Sequence, residues 1–474
     1  MIAPSKIALR TVDRFCADVP KAHLIGVAGA GMQALAEVLL SRGWQLSGSD
    51  ANAESAAWLS DQGVALSTNQ LLINGAPEVI YSDAVATDHV ERRLATRLGL
   101  CQSSYPQIVG RLMAGARGLA VAGTHGKSTT TAMLASIMTQ ADLDPTVFCG
   151  ATPLGKTSGG RAGAGEWLLA EACEYRENFR FLRPEVAVLL NVEPDHFDYY
   201  RSTRELEAAF RRFAERIPED GTIIANVACP ATRRVIAAAE CRVVTFGLTS
   251  PADWQAAKIR HIHGRYSFTL QQHGQERGTV MLQVPGRHQI GNALAAAATA
   301  ESLGVALPKI VAGLENFRGL RRRLEYLGHA GGVELWDDYA HHPTEVRATL
   351  TALRTMYPER RVWCVFQPHQ VSRTQSLVDE FAGSLQNADR VAIAEVFVAR
   401  ETPDVDPLEL AEQLASRVRA RGAAVLPDCR PQAILNDIVA AARPGDVVIT
   451  MGAGDIRKRF DELAHRFRAD RTSR

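Results

Sequence analysis

The segment VAGTHGKSTTTAML, residues 121–134, sets Gly123, Thr124, His125, Gly126 and Lys127 ahead of four hydroxyl residues and an apolar run. A glycine turn between a strand and a helix exposes backbone N–H groups in a concave array, and the helix N-terminus adds about half a positive charge. Together they make a phosphate site. Lys127 is placed to reach terminal phosphates, and Ser128 or Thr129 to offer a hydroxyl to Mg²⁺. The longer Gly-x-x-x-x-Gly-Lys loop would need glycine at 121, where Val121 stands. The plain alternative is a strand-to-helix turn with a capping serine. The lysine and hydroxyls following the glycines in order favour the phosphate reading.

A triphosphate site also needs a metal carboxylate from a neighbouring strand end. AEACEYRENF (170–179) supplies Glu171 and Glu174, and NVEPDHFDYY (191–200) supplies Glu193, Asp195, His196 and Asp198. In an open parallel sheet these ends share one crevice. Mg²⁺ prefers oxygen, which makes Glu171 the natural ligand. His196 is a less orthodox one, and on chemistry alone it holds a phosphate or a water equally well. A second signal lies near the N-terminus. Gly29-Ala30-Gly31-Met32-Gln33-Ala34 fits G-x-G-x-x-A after a strand, with Asp50 at the next strand end. That is a diphosphate loop with an acid for ribose or base. Two phosphate sites suit an enzyme that holds a nucleotide-linked substrate on one unit and ATP on the next.

The elements that must position these residues follow a repeated order: apolar run, glycine turn, amphipathic stretch. This predicts α/β units with parallel sheets. Strands are expected in 23–32, 45–50, 116–123, 166–174, 185–196, 221–227 and 241–247, and an antiparallel excursion over 258–286. A helix of strong formers is expected over 292–304. The basic, glycine-marked 315–328 reads as a hinge into a third series of strands, and the tail RFRADRTSR as frayed. The chain has 474 residues, too many for one core. The 53 basic against 52 acidic residues give no reason to expect nucleic acid. The eight cysteines are scattered without a CxxC pair, which fits a reducing compartment. No signal core and no run of about 18 apolar residues is present, so the expectation is a cytoplasmic protein without membrane insertion.

Taken in order, GVAGAGM, SGSD, AGTHGKSTTTAML, EACEYRENF, NVEPDHFDYY, PGRHQIGNALAAAA, FRGLRRRLE, DDYAHHPTEV, FQPHQVSRT and GAGDI resemble the Mur ligase family over nearly the whole chain. The likeness is strongest to the members that add L-alanine to UDP-N-acetylmuramate. It implies an α/β fold of three domains. A Rossmann-like N-terminal UDP-substrate domain would span 1–113, a central P-loop-type ATPase domain with a parallel sheet 114–316, and a C-terminal Rossmann-like amino-acid domain 317–474. It implies that ATP phosphorylates the lactyl carboxylate of UDP-N-acetylmuramate and that L-alanine attacks the acyl phosphate. It assigns Lys127 to the β/γ-phosphates, Ser128 or Thr129 with Glu171 to one Mg²⁺, and His196 to a second ion, with Mn²⁺ able to substitute. It sets His288 and Asn292 by the adenine, and Ser82 with the Gly29–Met32 loop and Asp50 on the UDP substrate. Asp338, Tyr339, His341, His369 and Arg373 would line the amino-acid and muramyl side, with Arg373 gripping alanine's carboxylate and His341 or His369 orienting or deprotonating its amine. Arg322 lies in an arginine run that is either an ATP-phosphate contact or a solvated hinge face. Asp83 stands where a second serine is usual and Gln289 where asparagine is usual. A monomer or weak homodimer is expected. The rival expectations are a ligase that recycles a murein tripeptide onto the same UDP sugar and, from the N-terminal loop alone, a nicotinamide oxidoreductase.

Overall fold

The computed structural model describes residues 19–68, 76–248, 251–402 and 404–472. The N-terminal stretch without a signal core lies outside them. Among the described residues the strands form three sheets.

The first has the order β3-β2-β1-β4-β5, all parallel: β1 (Lys21–Ile25), β2 (Gln45–Ser49), β3 (Ala65–Ser67), β4 (Glu78–Tyr81) and β5 (Cys101–Ser104). The chain leaves β1 through the glycine loop and enters the helix Ala30–Ser41. β1 lies between β2 and β4, so this loop sits where the strand order reverses, the place at which open α/β sheets bind ligands.

The central sheet carries β6 (Arg117–Ala122), β7 (Thr146–Phe148), β8 (Gly160–Arg161), β9 (Trp167–Ala172), β10 (Val186–Leu189), β11 (Thr222–Asn226) and β12 (Arg242–Phe246). The antiparallel excursion follows as β13 (Trp254–Ile262), β14 (Arg265–Gln272) and β15 (Gln275–Met281), joined to the same sheet in the order β15-β14-β13-β12-β11-β10-β6-β9-β7-β8. β6 is apolar and buried, as a strand covered on both faces must be. It too lies at a reversal, between β10 and β9, and runs into the helix Lys127–Gln140. That helix is packed between the helices His288–Ser302 and Leu307–Asn316, so Thr130 and Thr131 are fully buried.

The third sheet has the order β16-β17-β20-β18-β19: β16 (Glu325–Ala330), β17 (Val333–Asp338), β18 (Val362–Phe366), β19 (Arg390–Ile393) and β20 (Val447–Met451). Only β16 is antiparallel to its neighbour.

Two expectations are corrected. The alanine-rich helix begins at His288 rather than Asn292, because Gly286 at φ +102 turns the chain early enough for the His-Gln-Ile-Gly segment to join it. The tail is not frayed through its described length: a helix runs Ile456–Thr472, anchored where Ile456, Leu463 and Phe467 bury against Ile434, Leu435 and Ile438.

Candidate active site

The phosphate loop is built as its residues require. Gly123 (φ +147) and Gly126 (φ +83) hold conformations that side chains resist, and a Cβ on Gly126 would lie 2.5 Å from Asn292 Oδ1. Asn191 fixes the loop from β10's end: its Oδ1 accepts from His125 N at 2.8 Å and its Nδ2 donates to His125 O at 3.1 Å. Lys127 Nζ donates to Gly123 O (2.6 Å) and Thr124 O (3.0 Å) and pairs with Glu174, 3.0 Å from Oε2. Burial opposes the lysine's charge, but Glu174 outweighs it and raises the pKa. Glu174 is 1% exposed, and burial there is outweighed by Lys127 and His196, so its pKa is lowered. His196 Nε2 lies 3.1 Å from Glu174 Oε1.

Three cavities lie in a row along the strand ends. The first, about 330 Å³, is walled by Gly29, Ala30, Gly31, Met32, Ser82 and Asp83 with Asn178 and Arg400. The second, about 870 Å³, holds Thr124, Gly126, Lys127, Ser128 and Glu174, together with Tyr339 and His341 from the third sheet. The third, about 280 Å³, holds His125, Thr129, Phe246, His288, Asn292 and Asp338. Ala30, Glu171, Cys173 and His196 wall both the first and the second. Gly126, Arg323 and Glu345 wall both the second and the third. The second cavity, which holds the phosphate loop, therefore adjoins both of the others.

Most residues singled out in the sequence border these cavities, with informative exceptions. Ser128 and Thr129 separate: Ser128 faces the Glu171 side, Thr129 the third cavity. Glu171 Oε2 accepts from Gly150 N at 2.7 Å, and a Cβ on Gly150 would sit 2.7 Å from the same oxygen. Asp50 borders none of the three; it ties down the glycine loop by accepting from Ala28 N at 3.1 Å. Asp338 holds its own turn, accepting from Leu324 N (2.6 Å) and Ala340 N (2.7 Å). Arg322 borders the second cavity but is held toward the third sheet, donating to Gly452 O at 2.5 Å and lying 3.4 Å from Asp337. Arg321 is exposed at the rim of the second cavity, whereas Arg323 faces both the second and the third.

His369 and Arg373 stand behind His341 rather than in the cavity wall. Arg373 is 2% exposed; its Nε donates to Asp195 Oδ1 at 2.7 Å and its Nη1 to His369 O at 2.8 Å. Burial lowers the pKa of His341 to about 4 and of His369 to about 2. His341 Nδ1 lies 2.9 Å from Tyr339 O. A carbonyl only accepts, so Nδ1 carries the proton and Nε2 is the basic nitrogen.

Residues not singled out complete the site. Asn191 and Gly150 hold the loop and the carboxylate, and Glu345 receives His125 Nδ1 at 3.2 Å from across the sheet boundary. Burial opposes a charge on His125, but its bonds to Glu193 and Glu345 raise the pKa to about 9. Glu345 follows Pro343 in the first turn of the helix Pro343–Met356, the position at which an acid is favoured; that was the available signal. Gly150 and Asn191 leave none, since both act through contacts distant in sequence.

The chain matches three family profiles: the Mur ligase family catalytic domain over residues 21–117, the Mur ligase middle domain over 121–300 and the Mur ligase glutamate ligase domain over 322–454. It is 39% identical to the UDP-N-acetylmuramate–L-alanine ligase of Chlorobium phaeobacteroides, covering 93% of this chain and 96% of the relative. It is 38% identical to the enzyme of the same name from Acetivibrio thermocellus, covering 92% and 94%. Among solved structures, the UDP-N-acetylmuramate–alanine ligase of Thermotoga maritima superposes with a TM-score of 0.81 at 25% identity, covering 95% of this chain and 99% of that one. A murein peptide ligase from Psychrobacter arcticus gives 0.73 at 26% identity, covering 95% and 99%.

Proposed function

The chain belongs to the Mur ligase family, and on that premise we propose that it joins L-alanine to the lactyl carboxylate of UDP-N-acetylmuramate with ATP, giving UDP-N-acetylmuramoyl-L-alanine, ADP and phosphate. The observation that carries the reading is the row of three cavities, the middle one walled by Lys127 and adjoining each of the others. The UDP sugar takes the first, adenine the third, and the reacting atoms the second. We divide the chain accordingly into a UDP-substrate unit (1–113), an ATP unit (114–316) and an amino-acid unit (317–474), with the three sheets as support. A nicotinamide oxidoreductase is not favoured, because it leaves the second and third cavities without a role.

A lactyl carboxylate oxygen attacks the terminal phosphorus; the new P–O bond forms as the bond to ADP breaks. The amine of alanine then attacks the acyl carbon, the C–O bond to phosphate breaks, and the amine loses a proton. Lys127 lies where charge spreads over the transferring phosphoryl group, and positioning with charge neutralisation is most of the catalysis such a transfer needs. The residues fit magnesium: Glu171 and Ser128 offer oxygen, and His196 Nδ1 is buried without a hydrogen-bond partner beside them. Glu171, Ser128 and His196 would hold the ions, Mg²⁺ or Mn²⁺, which when bound neutralise phosphate charge. Tyr339 and His341 face the alanine side, and Arg373, buried behind His341 on Asp195, supports it rather than gripping alanine's carboxylate. His341, neutral at physiological pH with Nε2 basic, is the better proton acceptor, since His369 Nδ1 already faces Arg373 Nη1 at 3.2 Å. Nucleotide-linked substrates and free cysteines support a cytoplasmic site of action. Among the described residues no helix is long and apolar enough to cross a membrane.

Competing L-alanine against the murein tripeptide with UDP-N-acetylmuramate and ATP tests the substrate. The proposal expects the alanyl product by mass; the tripeptide product in its place moves the chain to recycling.

A further inference from the structure

His125 and Glu193 in the wall of the third cavity, with the buried His342 beside them, make a donor set unlike the oxygen-rich one at Glu171. We propose that His125, His342 and Glu193 form a transition-metal site of zinc type that bridges the phosphate loop and the third sheet's unit and exists only while the two are together. Two imidazoles and one carboxylate suit zinc or cobalt rather than magnesium. Their ligand atoms lie within 4.8 Å of one another. His125 Nε2 is 3.4 Å, and His342 Nδ1 4.0 Å, from the same Glu193 Oε2. A tetrahedral ion with bonds of about 2.0–2.2 Å spaces its donors roughly 3.4 Å apart, so small side-chain rotations close the set.

Each donor is oriented from behind. His125 Nδ1 lies 3.2 Å from Glu345 Oε1, the carboxylate–histidine pairing that aims a ring at a metal. His342 Nε2 lies 3.2 Å from Pro194 O, which assigns that nitrogen its proton and leaves Nδ1 with a lone pair, in use only for a 3.3 Å bond from Thr344 N. Thr344 Oγ1 donates to Glu193 Oε2 at 2.6 Å. His125 Nε2 is buried and faces Glu193 Oε2 at 3.4 Å, beyond a well-formed hydrogen bond. The open position of the ion would face the cavity. Competition of the ion with ATP rests on the function proposed above; the site itself does not.

Co²⁺ titrated into the nucleotide-free protein in excess Mg²⁺, which satisfies oxygen-type sites, reads the coordination directly. The expected result is one equivalent giving the intense visible absorption of a four- or five-coordinate ion, bleached by Zn²⁺. The band is lost in His125→Gln and in His342→Asn, the latter keeping a helix-capping side chain. His261→Ala, on the β13–β14 hairpin, retains it. Zn²⁺ is also expected to raise the melting temperature of the wild type and not of His342→Asn. A band that survives both ligand variants, or no band with a melting temperature indifferent to Zn²⁺, overturns the site.

Discussion

Lys127 has three N–H donors, and Gly123 O, Thr124 O and Glu174 occupy them. A phosphate must therefore take the lysine from a buried carboxylate that also holds His196. Glu174→Gln keeps the shape and removes the charge. It is expected to lower kcat by about 10–100-fold, the usual cost of losing such a supporting partner, while ATP binds no more weakly because Lys127 is freed. Steady-state kinetics check this; an unchanged kcat with a raised KM for ATP contradicts it. Asp83 gives a pH dependence. Burial raises its pKa, against the Asn178 hydrogen bond and the charges of Arg176, Arg400 and Arg92. The folded state thus holds this proton more tightly than the unfolded chain, so the neutral form is the stabilising one and ionisation on raising pH costs stability. In the first cavity that ionisation also sets a negative charge beside an anionic substrate. KM for UDP-N-acetylmuramate is expected to rise with pH through this titration, and Asp83→Asn to flatten the profile. The sequence marks Glu171 as the metal carboxylate and gives Glu174 no role, yet Glu174 is the one that pairs with Lys127.

Strands were legible because burial on both faces leaves unbroken apolar runs, as in β6, β10 and β20. The excursion β13–β15 was legible as antiparallel, though its continuity with the central sheet rests on one pairing, Phe246 with Trp254, that no periodicity announces. The tail helix went unread because its surface is basic and its apolar contacts with Ile434, Leu435 and Ile438 are tertiary. The phosphate-loop helix gave little amphipathic signal because helices pack along it on more than one side. One contact there is tight: a Cβ on Gly313 would lie 2.4 Å from Ile137 Cα. Gly313→Ala improves helix propensity by about 1 kcal/mol yet forces the two helices apart, a cost of about 1–3 kcal/mol or more. The expected outcome is a lower melting temperature; a higher one shows that the helices separate freely.

Across the whole molecule, the third sheet's unit reaches the central one through Arg373–Asp195, buried on both sides, and through the Glu345–His125 pair. Burial would raise the Asp195 pKa, but Arg373 holds it well below the usual carboxylate range. Arg373→Ala leaves a buried charge uncompensated and is expected to cost about 3–5 kcal/mol in denaturant unfolding, with part of the loss recovered by adding Asp195→Asn; equal losses in the single and double variants contradict the pairing. This inter-unit geometry was least legible in the sequence, since it joins Arg373 to a partner 178 residues away. The motifs named the groups, and the fold decided that Arg373 stands behind His341 and that Arg323 rather than Arg322 faces two cavities. The central claim is that three adjoining cavities, with Lys127 in the wall of the middle one, activate a carboxylate for an amine. Phosphate release from ATP, measured with UDP-N-acetylmuramate, with and without L-alanine, in the wild type and Lys127→Ala, tests it most directly. Sustained release that needs both substrates and is abolished in the variant is the predicted result; release independent of either substrate, or undiminished in Lys127→Ala, would contradict it.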